Sequence, residues 1–173
     1  RVVAELVQPG DVIWIHDYHF MLLPAMLREC CPDNSIGFFL HIPFPAYEIF
    51  RLLPRKWAAA LVEGLLGSDV VGFHTVDYVR HFLTAVLRLT GHQHQIGRVM
   101  FQGREIRVDA FPIGIDFEKY HETACLPKIR READLIRRKL VQQKAILSVD
   151  RLDYTKGIAK RLRAYELFLE RHP

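Results

Sequence analysis

Apolar residues along the chain fall into two alternating patterns. "DVIWIHDY" (11–18), following the turn signal Pro9-Gly10, "IGFFLHI" (36–42) and "SDVVGFH" (68–74) are nearly continuous apolar runs. Such runs mark strands buried on both faces of a parallel sheet. Between them, apolar positions recur every three or four residues. "FMLLPAMLREC" (20–30) predicts a helix with an internal proline, and residues 46–66 predict two helical pieces broken at Pro54. Residues 75–91 predict an amphipathic helix capped by Thr75 and closed by Gly91, with Val79, Phe82, Leu83, Val86 and Leu87 as its buried stripe.

The second half continues the alternation. "RVMFQGREIRVDAFPIGID" (98–116) predicts a hairpin turning at Gln102-Gly103, its second arm ending at Phe111-Pro112. A basic helix is predicted within 127–144. "KAILSVD" (144–150) predicts a further strand, then a Gly-containing loop and a helix with Ile158, Leu162, Tyr165 and Leu169 on one face. Strands alternating with helices argue for an α/β fold with a mostly parallel sheet. The rhythm breaks near 115–127, the one candidate domain boundary.

Composition narrows the function classes. Half of the 173 residues are hydrophobic and a quarter charged, an ordinary globular balance. The chain starts at Arg1 and stops at Pro173 after a helical pattern, which suggests a fragment of a longer protein. No apolar run approaches the roughly 20 residues of a membrane span, and no signal peptide opens the chain, so no membrane partner is expected. Three cysteines, two of them adjacent (Cys30 and Cys31), make no disulfide framework and point to the reducing cytoplasm. The net charge of +4 is local. Residues 127–144 hold seven Lys/Arg against two Asp/Glu, more than the whole excess, and no aromatic platform accompanies them. A solvated basic helix explains this, and nucleic acid is not expected as a partner.

In open parallel sheets, ligands bind beyond the carboxyl ends of the strands. The polar residues at those exits are His16, Asp17 and His19; His41; His74 and Thr75; and Arg151, Asp153 and Lys156. His41 stands at such an exit, and Pro43 and Pro45 stiffen the backbone beyond it. Each residue has a plainer reading. His16 suits a satisfied core histidine, Asp17 a helix cap, and His92 and His94 a polar loop. A zinc site from His16, Asp17, His19 and His41 is disfavoured, because adjacent strand residues point to opposite faces and H-D-x-H is no established ligand spacing. Arg151 and Lys156 lie just before a helix N-terminus, where two cations and free N–H groups suit a phosphate. No Gly-rich dinucleotide fingerprint, P-loop or Ser–His–Asp set appears.

Five motifs, "HDYHFMLLP", "GFFLHIPFPAYEIFRLLP", "DVVGFHTVDYVRHFL", "FPIGID" and "SVDRLDYTKGI", together resemble the trehalose-6-phosphate synthase family, retaining glycosyltransferases of the GT-B fold with two Rossmann-like domains. The resemblance runs from about residue 9 to the end, with the motifs in the family's order. It implies that glucose moves from UDP-glucose to glucose 6-phosphate, with no cofactor and no metal. It implies that Asp17 binds hydroxyls of glucose 6-phosphate, that His41 lies by the donor glucose, and that Arg151 and Lys156 grip the UDP-glucose diphosphate. Asp17 and His41 are then the expected catalytic residues. Residues 1–118 would end the acceptor-side N-terminal domain, and 119–173 would begin the nucleotide-sugar domain. Family contacts upstream and downstream of the chain would be missing, so the isolated 173 residues are expected not to turn over. Two other readings share the motifs: a glucosylglycerol-phosphate synthase using glycerol 3-phosphate, and a non-catalytic sugar-phosphate-binding regulator. The oligomeric state stays open, a homo-oligomer included.

Overall fold

In the computed structural model, which describes residues 2–140 and 144–172, the three apolar runs pair side by side as parallel strands. They are β1 (Val12–His16), β2 (Ser35–Phe39) and β3 (Val70–Phe73), and a longer strand, Arg104–Ala110, joins β3 in the same direction. β1 is not buried on both faces as its apolar run predicts, because it is the edge strand: Ile13 and Ile15 are buried, while Trp14 and His16 face the other way and are exposed. Glycines let aromatic rings lie flat on that second face. A Cβ on Gly37, the register partner of Trp14, would fall 2.0 Å from Trp14 Cζ3, and one on Gly72 would fall 2.8 Å from Phe39 Cδ2.

Helices α1 (Val2–Leu6), α2 (Leu23–Cys30), α3 (Tyr47–Phe50), α4 (Arg55–Leu65) and α5 (Val76–Thr90) complete this part of the chain. Pro54 separates α3 from α4, and Thr75 and Gly91 bound α5, as the pattern predicts. Pro24 differs from expectation. It sits in the first turn of α2, after a 3-10 turn at Tyr18–Phe20, because a helix does not use its first N–H groups. On α5, Phe82, Leu83 and Val86 are buried, but Leu87 lies at the stripe's edge and is exposed. Phe38, Phe44, Phe73 and Phe82 fill the core together with Leu65, Leu66 and Ile106.

The remaining strands are β4 (His94–Gln95), β5 (Arg98–Phe101) and β6, the Arg104–Ala110 strand, giving the order β1-β2-β3-β6-β5-β4 with β6, β5 and β4 antiparallel. Gln102 and Gly103 turn the β5–β6 hairpin with φ of 49° and 75°, the left-handed pair of a type I′ turn. Ile96 and Gly97 repeat this geometry between β4 and β5, so His94 belongs to a short strand, not to the expected loop.

At the opposite ends of the strands, Asp69 gathers charge. Its carboxylate accepts from Arg28 Nη2 at 2.8 Å on each oxygen, from Arg104 Nη1 at 3.0 Å and from the Ile36 N–H at 2.8 Å. Burial, and then the neighbouring Arg28, push the Arg104 guanidinium below its ordinary value, and Asp69 opposes that shift.

The chain divides into two compact units, Arg1–Ile115 and Asp116–Pro173. The second holds α6 (Phe117–Cys125), α7 (Pro127–Lys139) and α8 (Ile158–Arg171). The strand expected over 144–150 does not form. The described residues of this unit hold no second strand to accept its ladder hydrogen bonds, and Ile146, Leu147 and Val149 are exposed. Residues 141–143, within the expected basic segment, lie outside the described residues. The expected apolar face of α8 is likewise open, with Leu162, Tyr165 and Leu169 exposed.

Candidate functional site

At the carboxyl ends of β1, β2 and β3 stand His16 with Asp17, His41, and His74. The chain leaves β2 through Leu40 and enters "HIPFPAY" without helical structure until Tyr47. Two contacts hold this segment. Phe44 is buried with its ring 4.9 Å from that of Phe50 and 5.3 Å from that of Phe82. His81 Nδ1, on α5, lies 3.0 Å from the Phe44 carbonyl oxygen, to which it donates. With Pro43 and Pro45 restricting φ, the backbone that carries His41 is over-determined.

His41 reaches across to the neighbouring strand. Its Nε2 lies 2.9 Å from His16 Nδ1, and the two rings stack with centroids 5.1 Å apart. The His74 ring meets His41 edge-on at 5.9 Å and Phe39 at 5.0 Å. His16 is therefore exposed and paired, not a core histidine. Nothing in its sequence spacing points to that pairing, which spans 25 residues. The same holds for His81, whose partner carbonyl lies 37 residues away.

Asp17 both caps and strains. Its Oδ1 accepts from the Tyr18 N–H at 3.0 Å, so the capping reading is correct, although for a 3-10 turn. Its own N–H donates to the Phe39 carbonyl at 2.8 Å. Its backbone lies at φ 71° and ψ 167°, a region that only glycine occupies without strain, and such residues cluster at functional sites. His19 stacks on Tyr18 with centroids 3.9 Å apart and takes no part in the His16–His41 pair.

Trp14, His16, Phe39, His41, Phe111 and Ile113 line a hollow of about 370 Å³. A larger one, about 660 Å³, runs along the outer edge of β1 and shares Trp14 and His16, but aliphatic residues form most of its wall. The smaller hollow brings aromatic surface and imidazole nitrogens together, the composition of a small-molecule site.

Within the second unit, Arg151 and Lys156 flank a turn fixed by Asp153, whose Oδ1 accepts from the Thr155 N–H and from Thr155 Oγ1, both at 2.9 Å. Those two bonds, the backbone one first, hold the Asp153 carboxyl below the usual carboxylate range. Lys156 immediately precedes Gly157, whose φ of 61° leads into the N-terminus of α8. Neither cation has an ion-pair partner among the described residues. No cluster of three or more His, Cys, Asp or Glu that could hold a metal ion occurs among the described residues, and no described helix is long and apolar enough to cross a membrane.

Comparison with known proteins extends this geometry. Residues 1–173 match the family described as glycosyltransferase family 20. The chain is similar to the UDP-forming alpha,alpha-trehalose-phosphate synthase 1 of Aspergillus niger, with 48% identity over 177 residues, covering all of this chain and 34% of that protein. It superposes on the E. coli trehalose-6-phosphate protein bound with UDP-2-fluoro glucose with a TM-score of 0.83 and 38% identity, covering 99% of this chain and 39% of that one. It also superposes on a Burkholderia xenovorans alpha,alpha-trehalose-phosphate synthase in complex with glucose-6-phosphate, with a TM-score of 0.78 and 35% identity, covering 98% of this chain and 38% of that one. The α/β architecture is thus of the GT-B type, and the chain spans about a third of the length of these relatives. With an unbroken family match from its first residue to its last, the chain belongs to glycosyltransferase family 20.

Proposed function

We propose that the chain is part of a UDP-forming trehalose-6-phosphate synthase, which transfers glucose from UDP-glucose to glucose 6-phosphate with retention. What carries this reading is the family match over all 173 residues, with Asp17, His41, Arg151 and Lys156 bearing side chains that the chemistry can use. The relatives that hold UDP-2-fluoro glucose and glucose-6-phosphate support both substrates. Residues 1–118 are then the end of the acceptor-side domain, a division three residues beyond the end of the first unit at Ile115, and residues 119–173 begin the nucleotide-sugar domain.

Asp17 accepts hydroxyls of glucose 6-phosphate, a charge-assisted contact that orients the attacking oxygen. His41 contacts the donor glucose. Arg151 and Lys156 hold the diphosphate, with the N–H groups of the α8 N-terminus adding to their field. The acceptor hydroxyl attacks the anomeric carbon from the side that the leaving group vacates. The bond from that carbon to the phosphate oxygen breaks, a new one to the acceptor oxygen forms, and the hydroxyl proton passes to a phosphate oxygen of the departing UDP. The two cations stabilise the charge that develops on UDP, so no metal is needed. No spaced pair of carboxylates of the glycosidase type is needed either. Three free thiols, at Cys30, Cys31 and Cys125, support a cytoplasmic location.

The test is UDP release by the full-length protein from UDP-glucose, with glucose 6-phosphate or glycerol 3-phosphate as acceptor. Release with glucose 6-phosphate, lost in Asp17→Ala and in Arg151→Ala, is the expected result. Release with glycerol 3-phosphate alone moves the substrate, and binding without release makes the protein a sensor. The 173 residues by themselves turn over neither.

A further inference from the structure

The transfer reaction assigns no part to His16, yet this strand-exit residue makes the one hydrogen bond of the His41 side chain among the described residues. Its position follows from the sheet. His16 pairs in register with Phe39, two residues before His41, and both imidazoles line the same hollow. Along β1 the alternation sends Ile13 and Ile15 into the core and turns Trp14 and His16 toward this hollow. Trp14 then meets the His16 ring edge-on at 5.6 Å and limits its rotation.

The contact constrains chemistry as well as position. A neutral imidazole has one N–H and one lone pair, so one ring donates and the other accepts between Nδ1 of His16 and Nε2 of His41. Whichever ring donates, Nε2 of His41 is occupied, and Nδ1 is the ring atom left for a ligand. When His16 donates, His41 carries its proton on Nδ1 and presents a donor; when His41 donates, Nδ1 presents a lone pair. His16 thereby couples the polarity of the His41 face that meets the sugar to its own tautomer, as outer partners do for ligating histidines.

We propose that His16 is a positioning residue for the transfer: it orients the His41 ring and commits Nδ1 of His41 to the donor glucose. The proposal rests on the synthase reading, and its test separates the two. In the full-length protein, His16→Phe keeps a ring without the hydrogen bond. His16→Asn returns a polar atom near the position of Nδ1, whereas His16→Gln puts one near the position of Nε2.

UDP release should fall about tenfold in kcat for His16→Phe, the size of one lost orienting hydrogen bond, with KM for glucose 6-phosphate unchanged. His16→Asn should recover most of the loss, and His16→Gln should not. Adding His16→Phe to His41→Ala should cost nothing further, because His16 acts through His41. Full kcat in His16→Phe, or losses that multiply in the double variant, would overturn the proposal. If the unaltered protein releases no UDP, the synthase reading fails on its own. The pair is then judged by the imidazole nitrogen shifts of His41, followed in histidine-labelled full-length protein. A change on His16→Phe upholds the orienting contact, and unmoved shifts dismiss it.

Discussion

Replacing Asp17 by glycine and by alanine gives two proteins whose stability difference has a sign set by one backbone angle. Both variants lose the carboxylate and the bond from the Tyr18 N–H, so those losses cancel between them. What remains is the conformation at φ 71° and ψ 167°. A residue with a Cβ is strained there by roughly 1–3 kcal/mol, and glycine is not. Against this, glycine loses about 0.4–1 kcal/mol more unfolded-state entropy than alanine. The Asp17→Gly protein is therefore expected to be more stable than Asp17→Ala by roughly 0.5–2 kcal/mol. At an ordinary extended or helical position the order would be the reverse. Urea unfolding of the two full-length variants, followed by far-ultraviolet circular dichroism, reads the difference. Neither should release UDP from UDP-glucose and glucose 6-phosphate. An alanine variant equal to or more stable than the glycine variant would refute the claim that the fold holds Asp17 in a conformation it resists.

Asp69→Ala leaves Arg28 and Arg104 without their shared carboxylate. The loss should be about 2–3 kcal/mol, below the roughly 3–5 of a fully buried pair, since the Asp69 side chain is 40% exposed; an unchanged urea midpoint would show that the cluster is ornamental. Ile96 is a β-branched residue at φ 50° before Gly97, where a type I′ turn prefers asparagine. Ile96→Asn should therefore stabilise by about 1 kcal/mol, seen as a higher melting temperature, and a lower one would count against the turn. The Arg107 guanidinium, and then the Ala110 N–H, hold the Asp109 carboxyl below the usual carboxylate range. A depressed folded value means that this contribution is present above the unfolded value of about 3.9 and fades as pH falls through the folded one. Because the pair is exposed it contributes roughly 0.2–1 kcal/mol, and Asp109→Asn should show a correspondingly shallower loss of stability between neutral and acid pH. An acid limb as steep as that of the unaltered protein would remove the assignment.

The continuous apolar runs at 12–16, 35–39 and 70–73 are all strands of the sheet; 35–39 and 70–73 are buried on both faces as such runs require, whereas 12–16 is an edge strand buried on one face only. The β5–β6 hairpin was legible from Gln102-Gly103 for a local reason, the left-handed pair of angles that such a turn needs. The stretch 144–150 has strand-forming residues as good as any of these, yet pairing is a property of two segments, and only one is described in its unit. Pro24 misled because a proline marks a helix start as readily as a break. At the candidate site, sheet geometry made Asp17 and His41 legible as strand-exit residues. His81 and the pairing of His16 with His41 were not legible, because each depends on a contact between distant segments that no local pattern encodes.

The imidazole pair bridges two adjacent strands, and on the proposed synthase function this would turn activity into a gauge of alignment. Slipping β1 by one residue against β2 would bring His16 to the helix-covered face and put Ile15 or Asp17 in its place. A molecule misaligned in this way would keep its helices and much of its spectrum, yet the imidazole–imidazole bond to His41 would be gone. Turnover per mole by a refolded full-length synthase would then fall with the share of misaligned sheets, which circular dichroism does not distinguish.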